Sequence, residues 1–282
     1  MKFLKQFSDF ILFGNIYVAL GAVCLTQSTL IQIGSKNYLV EYSLLTFFST
    51  LFIYNLQRIF YKSQKDISLH SIRRKWIFEN QFSIKLLAFI GFGGICATFF
   101  YNDIKVAFYL SPLLILSLAY FLPWIKLRKS PWFKLLTLVL VWTMVTSVVP
   151  ILLSTSEVIT KHHFLHIVVR FCFMMAICIP FDIRDLLIDA ADNISTIPHL
   201  MGENKTRWFA TSWMLIYILL IIFEFVSGMF NAPQFYALLF SALINTVIVF
   251  MSNSKRSEYF YVAGIDGTMI LQGVLLLLAE LL

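Results

Sequence analysis

The chain has 282 residues, of which 59% are hydrophobic and only 13% charged, with 29 Phe and a mean hydropathy of +0.81. Soluble globular domains carry about a quarter charged residues, so this composition excludes an ordinary soluble fold and points to a polytopic membrane protein. The formal net charge of +7 reports topology and contact with anionic lipid headgroups in such a chain; no nucleic-acid partner is expected.

Apolar runs of about 17–25 residues mark candidate transmembrane helices. The first covers roughly 9–33 and shows no A-x-A-like cleavage site, so a retained span is expected rather than a removed signal peptide. The second covers 38–60 and is followed by the charged stretch 62–80. The third and fourth, 82–101 and 104–122, are separated only by Asn102-Asp103. A basic turn from Pro123 to Pro131 precedes the fifth, 132–154, and the sixth runs over 164–186. A polar loop from Asp189 to Arg207 then leads to spans at 207–229, 234–252 and 259–281. No repeat, low-complexity tract or long linker interrupts the series. The expectation is one all-α domain, residues 1–282, with about nine transmembrane helices.

Basic residues orient that series. With the N-terminus in the cytoplasm, 18 of the 22 Lys and Arg fall on the cytoplasmic side. Lys36, Lys105 and Lys161 fall outside, and Arg170 lies within the sixth span. This is the positive-inside pattern, and it puts both long loops, 61–81 and 187–206, in the cytoplasm. Cys24, Cys96, Cys172 and Cys178 all lie in apolar segments without a C-x-x-C pair, and read as small buried hydrophobes.

The segment Ile179-Pro-Phe-Asp-Ile-Arg-Asp-Leu-Leu-Ile-Asp-Ala-Ala-Asp192 closes the sixth span with acids. On a helix of about 3.6 residues per turn, Asp182, Asp185 and Asp189 share one face within about 60°. Carboxylates at a bilayer boundary are expensive, and such a cluster marks function. Carboxylate and water oxygens, shared with substrate phosphates, are what Mg2+ prefers. The three aspartates are therefore the expected metal-binding and catalytic residues, on the cytoplasmic face.

Asp182-Ile-Arg-Asp185-x-x-x-Asp189, followed by Thr196-x-Pro198-x-x-x-Gly202, resembles the second aspartate-rich motif of the UbiA-type intramembrane prenyltransferases. The resemblance implies a helical bundle around a central cavity, with an isoprenoid tail lying in a tunnel open to lipid. It also implies Mg2+ as cofactor, and a prenyl diphosphate and a lipophilic, quinone-precursor-like acceptor as partners. The first motif of that family, N-D-x-x-D at the end of span two, is incomplete here. Asn55 is present, but Leu56 and Ile59 stand where the aspartates would be, and Asn193 replaces a glycine three residues before Thr196. Arg58 and Lys62 are suited either to bind diphosphate oxygens in place of the missing metal ligands or to anchor a helix end at the cytoplasmic interface. Lys126, Arg128 and Lys134 on the basic turn resemble residues that the family places near the diphosphate. Asn55, Arg58, Lys62, Lys126 and Arg128 are thus the expected diphosphate ligands.

Other polar residues divide between structure and function. His162, His163 and His166 read as interfacial rather than as metal ligands, and His199 as a loop residue able to orient an acceptor hydroxyl. Arg170 is expected to bond an internal carbonyl or snorkel. Asp266 reads as a cavity acid, Glu224 as an ordinary residue near the outer interface, and Trp142 as lining a tunnel or packing helices. Two further functions compete with prenyl transfer. One is a non-catalytic relative binding prenyl lipid or a partner, and the other is a transporter coupled through intramembrane acids.

Overall fold

The computed structural model describes residues 2–35, 39–60, 71–102, 104–121, 130–155 and 159–282. Every regular element among these residues is helical. The chain runs through α1 (Lys2–Phe13), α2 (Ile16–Gln32), α3 (Val40–Phe60), the short α4 (Ile72–Glu79), α5 (Gln81–Phe99) and α6 (Ile104–Phe121). It continues through α7 (Pro131–Thr143), a π-helical turn (Met144–Val148) and α8 (Val149–Ser154), which together form one rod. Then come α9 (Lys161–Arg184), the short α10 (Leu186–Ala191) and α11 (Ile197–Met201), α12 (Glu203–Val226) and α13 (Ala232–Phe250). A second π-helical turn (Phe260–Ile265) runs into the last helix, α14 (Asp266–Glu280).

Helix covers all nine runs expected from the sequence. Six rods among the described residues are long and apolar enough to cross a membrane, and α1 with α2 makes a seventh if that bent pair is one span. The expected count of nine is thus not reached by length and apolarity alone. Helix α3 carries Glu41, Asn55, Gln57 and Arg58, and the apolar part of α6, Ile104–Tyr120, is short.

Neighbouring helices close a ring. Helix α2 packs on α3, α3 on α5 and α6, α6 on α7, α7 on α9, α9 on α12, α12 on α13, α13 on α14, and α14 back on α2. Small residues permit the tightest approaches, as expected where helices pack without a hydrophobic drive between them. At Gly273 a Cβ would lie 2.6 Å from Cys24 Cβ and 2.7 Å from its carbonyl oxygen. At Gly91 it would lie 2.8 Å from the Phe52 backbone nitrogen. The main apolar core gathers around α9, whose Phe173, Met174, Met175, Ala176 and Ile179 are buried.

The 55° bend between α1 and α2 falls at Gly14-Asn15, where Asn15 takes the left-handed conformation at φ 64°. Asn55 on α3 holds it. Its Nδ2 donates to the carbonyls of Gly14 and Leu51, at 3.0 and 2.8 Å, and Asn15 Nδ2 donates to its Oδ1 at 3.0 Å.

Candidate functional site

A cavity of about 220 Å³ opens within the ring. Its inner wall is apolar, with Val18, Ile53, Leu138, Val141, Met174 and Met269 among the lining residues. Trp142 also lines it, fixed by donating from Nε1 to Tyr54 Oη at 3.1 Å. The polar mouth carries Arg58, Arg73, Lys134, Asp182, Arg184 and Asp185. The shape is that of an amphiphile: charge at one end, hydrocarbon below.

The aspartates do not stay on one face. Helix α9 ends at Asp185, which caps it at φ −88° and ψ 8°, and α10 restarts at Leu186. This break separates Asp185 from its neighbours. Asp182 and Asp189 converge on Lys134, whose Nζ lies 2.8 Å from Asp182 Oδ1 and 2.7 Å from Asp189 Oδ2. Asp185 turns to arginine: Arg184 donates Nε and Nη2 to its two oxygens at 2.9 and 2.7 Å, and Arg73 Nη2 lies 3.6 Å away. Glu258 completes this second centre, 3.3 Å from Arg73 Nε and 3.8 Å from Arg184 Nε, while Ser71 donates its hydroxyl to the same carboxylate. Arg184 also lies over the Phe181 ring at 4.8 Å.

Four cations, Arg58, Arg73, Lys134 and Arg184, thus meet four carboxylates, Asp182, Asp185, Asp189 and Glu258. Asp266 adds a fifth acid deeper in the cavity, where it was expected. The cluster among the described residues carries no surplus of positive charge. Burial alone would push the Asp185 carboxyl up, but its Arg184 fork and the Arg73 charge hold it well below the usual carboxylate range. Glu258 is likewise held down by Arg73 and Arg184 against burial. Asp189 goes the other way: burial, with Asp185 and Asp182 nearby, outweighs Lys134 and raises it.

The carboxylate oxygens here are of the kind that suits a hard cation, and an ammonium stands between Asp182 and Asp189. Among the described residues no three His, Cys, Asp or Glu side chains are gathered to hold one ion. Of the three expected ligands, Asp182 and Asp189 share one ammonium, and Asp185 is paired with arginines across the helix break.

Of the expected diphosphate ligands, Arg58 lines the cavity, and its Nε has no hydrogen-bond partner among the described residues. Asn55 does not line it; it is fully buried and turned toward the α1–α2 bend, while Asn15 reaches the cavity instead. Lys62, Lys126 and Arg128 lie outside the described residues. Arg73 and Glu258, central to the site, were not expected from the sequence. Arg73 sits in a charged stretch that reads as solvated loop, and only its place in the capped helix α4, with Arg74 N donating to Ser71 Oγ, brings it inward.

The remaining readings resolve locally. His199 caps α11 through Thr196, with Nδ1 2.7 Å from Thr196 Oγ1, so it does not reach into the cavity. Asn193 adopts φ 53°, the left-handed conformation that favours glycine and that Asn tolerates. The histidine trio is dispersed: His163 caps α9, while His166 is buried beside Thr29. Arg170 donates to the Leu25 carbonyl at 3.1 Å, as expected. Glu224, expected near the outer interface, is buried to 1% exposure, 4.0 Å from His166 Nδ1.

Fold and site together define an integral, multi-pass helical membrane protein whose central cavity joins an apolar chamber to a cluster of cations and carboxylates. The fold is that of UbiA homologs. A UbiA homolog from Archaeoglobus fulgidus bound to GPP and Mg2+ matches at TM-score 0.65 and 12% identity, covering 97% of this chain and 100% of that one. A structure of a UbiA homolog from the same organism bound to DMAPP and Mg2+ matches at TM-score 0.61 and 14% identity, covering 96% and 98%. No protein-family model and no curated protein sequence matches the chain.

Proposed function

We propose that this protein transfers a prenyl group from a prenyl diphosphate to a lipophilic acceptor, of the aromatic or quinone-precursor kind, at a site facing the cytoplasm. The observation that carries this reading is the junction of an apolar cavity with four cations and four carboxylates. The UbiA homologs of the same fold bind GPP or DMAPP with Mg2+, which supports the substrate class. The diphosphate would lie at the polar mouth against Arg58 and Arg73, joined by Lys62, Lys126 and Arg128 on sequence grounds. Asp182 and Asp189 would hold Mg2+, with Asp185 fixing the flanking arginines. When bound, Mg2+ neutralises the leaving diphosphate, which is otherwise a poor leaving group. The apolar wall would exclude water from the allylic cation left by ionisation, and Asp266 lines the same cavity.

Mg2+-dependent release of diphosphate from a panel of prenyl diphosphates, measured on purified protein with candidate acceptors, tests the reading. Wild type should release it, and Asp189→Asn should fall at least about a hundredfold, as for loss of one transition-state charge contact. The inward turn of Asn55 and the missing first-motif aspartates favour one other reading, a non-catalytic binder of prenyl lipid. It predicts no release, with lipid binding unchanged by Asp189→Asn.

A further inference from the structure

Lys134 is the fourth residue after the N-cap Ser130, in the first turns of a helix whose N-terminus repels cations. A lysine is kept there against the helix dipole, and its ammonium is clamped by two carboxylates at 2.7 and 2.8 Å. All three side chains are less than one tenth exposed.

We infer that Lys134 is a built-in surrogate cation, which bars a free divalent ion from the Asp182–Asp189 pair and yields that place only when diphosphate arrives with the metal. This rests on the prenyl-diphosphate reading of the site. A divalent ion entering alone must expel a buried ammonium and leave it without a counterion, which is the costly half of breaking a buried ion pair. A naked diphosphate meets a cluster in which cations and carboxylates already balance. Arriving together, the metal takes the carboxylate pair while the ammonium turns to the diphosphate oxygens, so neither the pair nor the ammonium is left without a counterion. Metal and diphosphate are then coupled ligands, each raising the other's affinity by the same factor.

Mn2+ binding, followed by the electron paramagnetic resonance signal of the free ion, tests this on the detergent-solubilised full chain. The unreactive analogue geranyl thiolodiphosphate serves as the second ligand. Wild type should bind Mn2+ weakly alone and at least tenfold more tightly with the analogue. Lys134→Met should bind Mn2+ alone at least tenfold more tightly than wild type, with the analogue then adding less. Lys134→Gln, one atom shorter but still able to donate a hydrogen bond to a carboxylate, carries the same expectation and replaces the Met variant if that variant does not fold. Mn2+ binding to wild type alone as tightly as to the folded variant overturns the exchange while leaving the substrate reading intact. If wild type binds neither Mn2+ nor the analogue, even together, the substrate reading fails and the exchange with it.

Discussion

Arg58 separates a binding role from a structural one. It lines the cavity, its Nε has no hydrogen-bond partner among the described residues, and its electrostatic neighbours include the cations Arg73, Arg184 and Arg74 and the carboxylate Asp185, which Arg184 already pairs. Arg58→Leu therefore removes repulsion from three arginines against the loss of one attraction to Asp185, and it breaks none of the ion pairs that hold the four carboxylates. The melting temperature should stay unchanged or rise. Diphosphate binding should suffer, because one charge-assisted hydrogen bond contributes about 1.5–3 kcal/mol, or roughly ten- to hundredfold in Kd. Arg184→Leu is the contrast. It strips Asp185 of its two-point partner at 2.7 and 2.9 Å, and leaving a buried charge uncompensated costs about 3–5 kcal/mol. Titration calorimetry with geranyl thiolodiphosphate and Mg2+, beside thermal unfolding in detergent, reads both quantities. If Arg58→Leu destabilises as much as Arg184→Leu, or leaves Kd unmoved, the assignment of Arg58 to the diphosphate is refuted.

Asn55→Ala should lower stability by about 2–4 kcal/mol, since it removes three buried hydrogen bonds at roughly 1 kcal/mol each, yet leave diphosphate affinity within about threefold; thermal unfolding and the same titration check this. Gly273→Val should destabilise by about 1–3 kcal/mol or more through overpacking, because its Cβ meets Cys24 backbone and side chain within 3 Å; an unchanged melting temperature would contradict the tight α2–α14 contact. Asp185 and Glu258 have folded pKa values below their ordinary ones, so the stability they add is present above those ordinary values and is lost as pH falls. Wild-type melting temperature should drop between about pH 5 and 3, and the drop should be shallower in Asp185→Asn. Asp189, shifted upward, contributes in the opposite sense, its stabilisation lost as pH rises, so Asp189→Asn should not flatten the acid limb.

Much of the architecture was legible in the chain because a bilayer imposes one-dimensional rules. A span needs a fixed length of apolar residues, and its backbone has to be satisfied within the helix. Composition and run lengths therefore placed helix in each of the apolar runs, and the Asp182–Gly202 motif marked residues that line the charged part of the cavity. What these rules leave open is how strictly α3 and α6 span, since polar residues in one and short length in the other weaken the signal.

The division of labour at the site came only from tertiary structure. Helical spacing groups Asp182, Asp185 and Asp189, but spacing assumes an unbroken helix, and the cap at Asp185 splits the group between Lys134 and Arg184. Asn55 carries the right residue type at the right place, yet the bend at Asn15 consumes its amide. Arg73 and Glu258 come from a charged loop and from the turn before the last span, and they meet Asp185 only because the ring of helices closes. Sequence alone thus determined the all-helical, multi-pass character of the chain and which segments bear charge, because both follow from local composition. Tertiary structure decided which charge faces which, because a buried ion chooses its partner by distance in three dimensions.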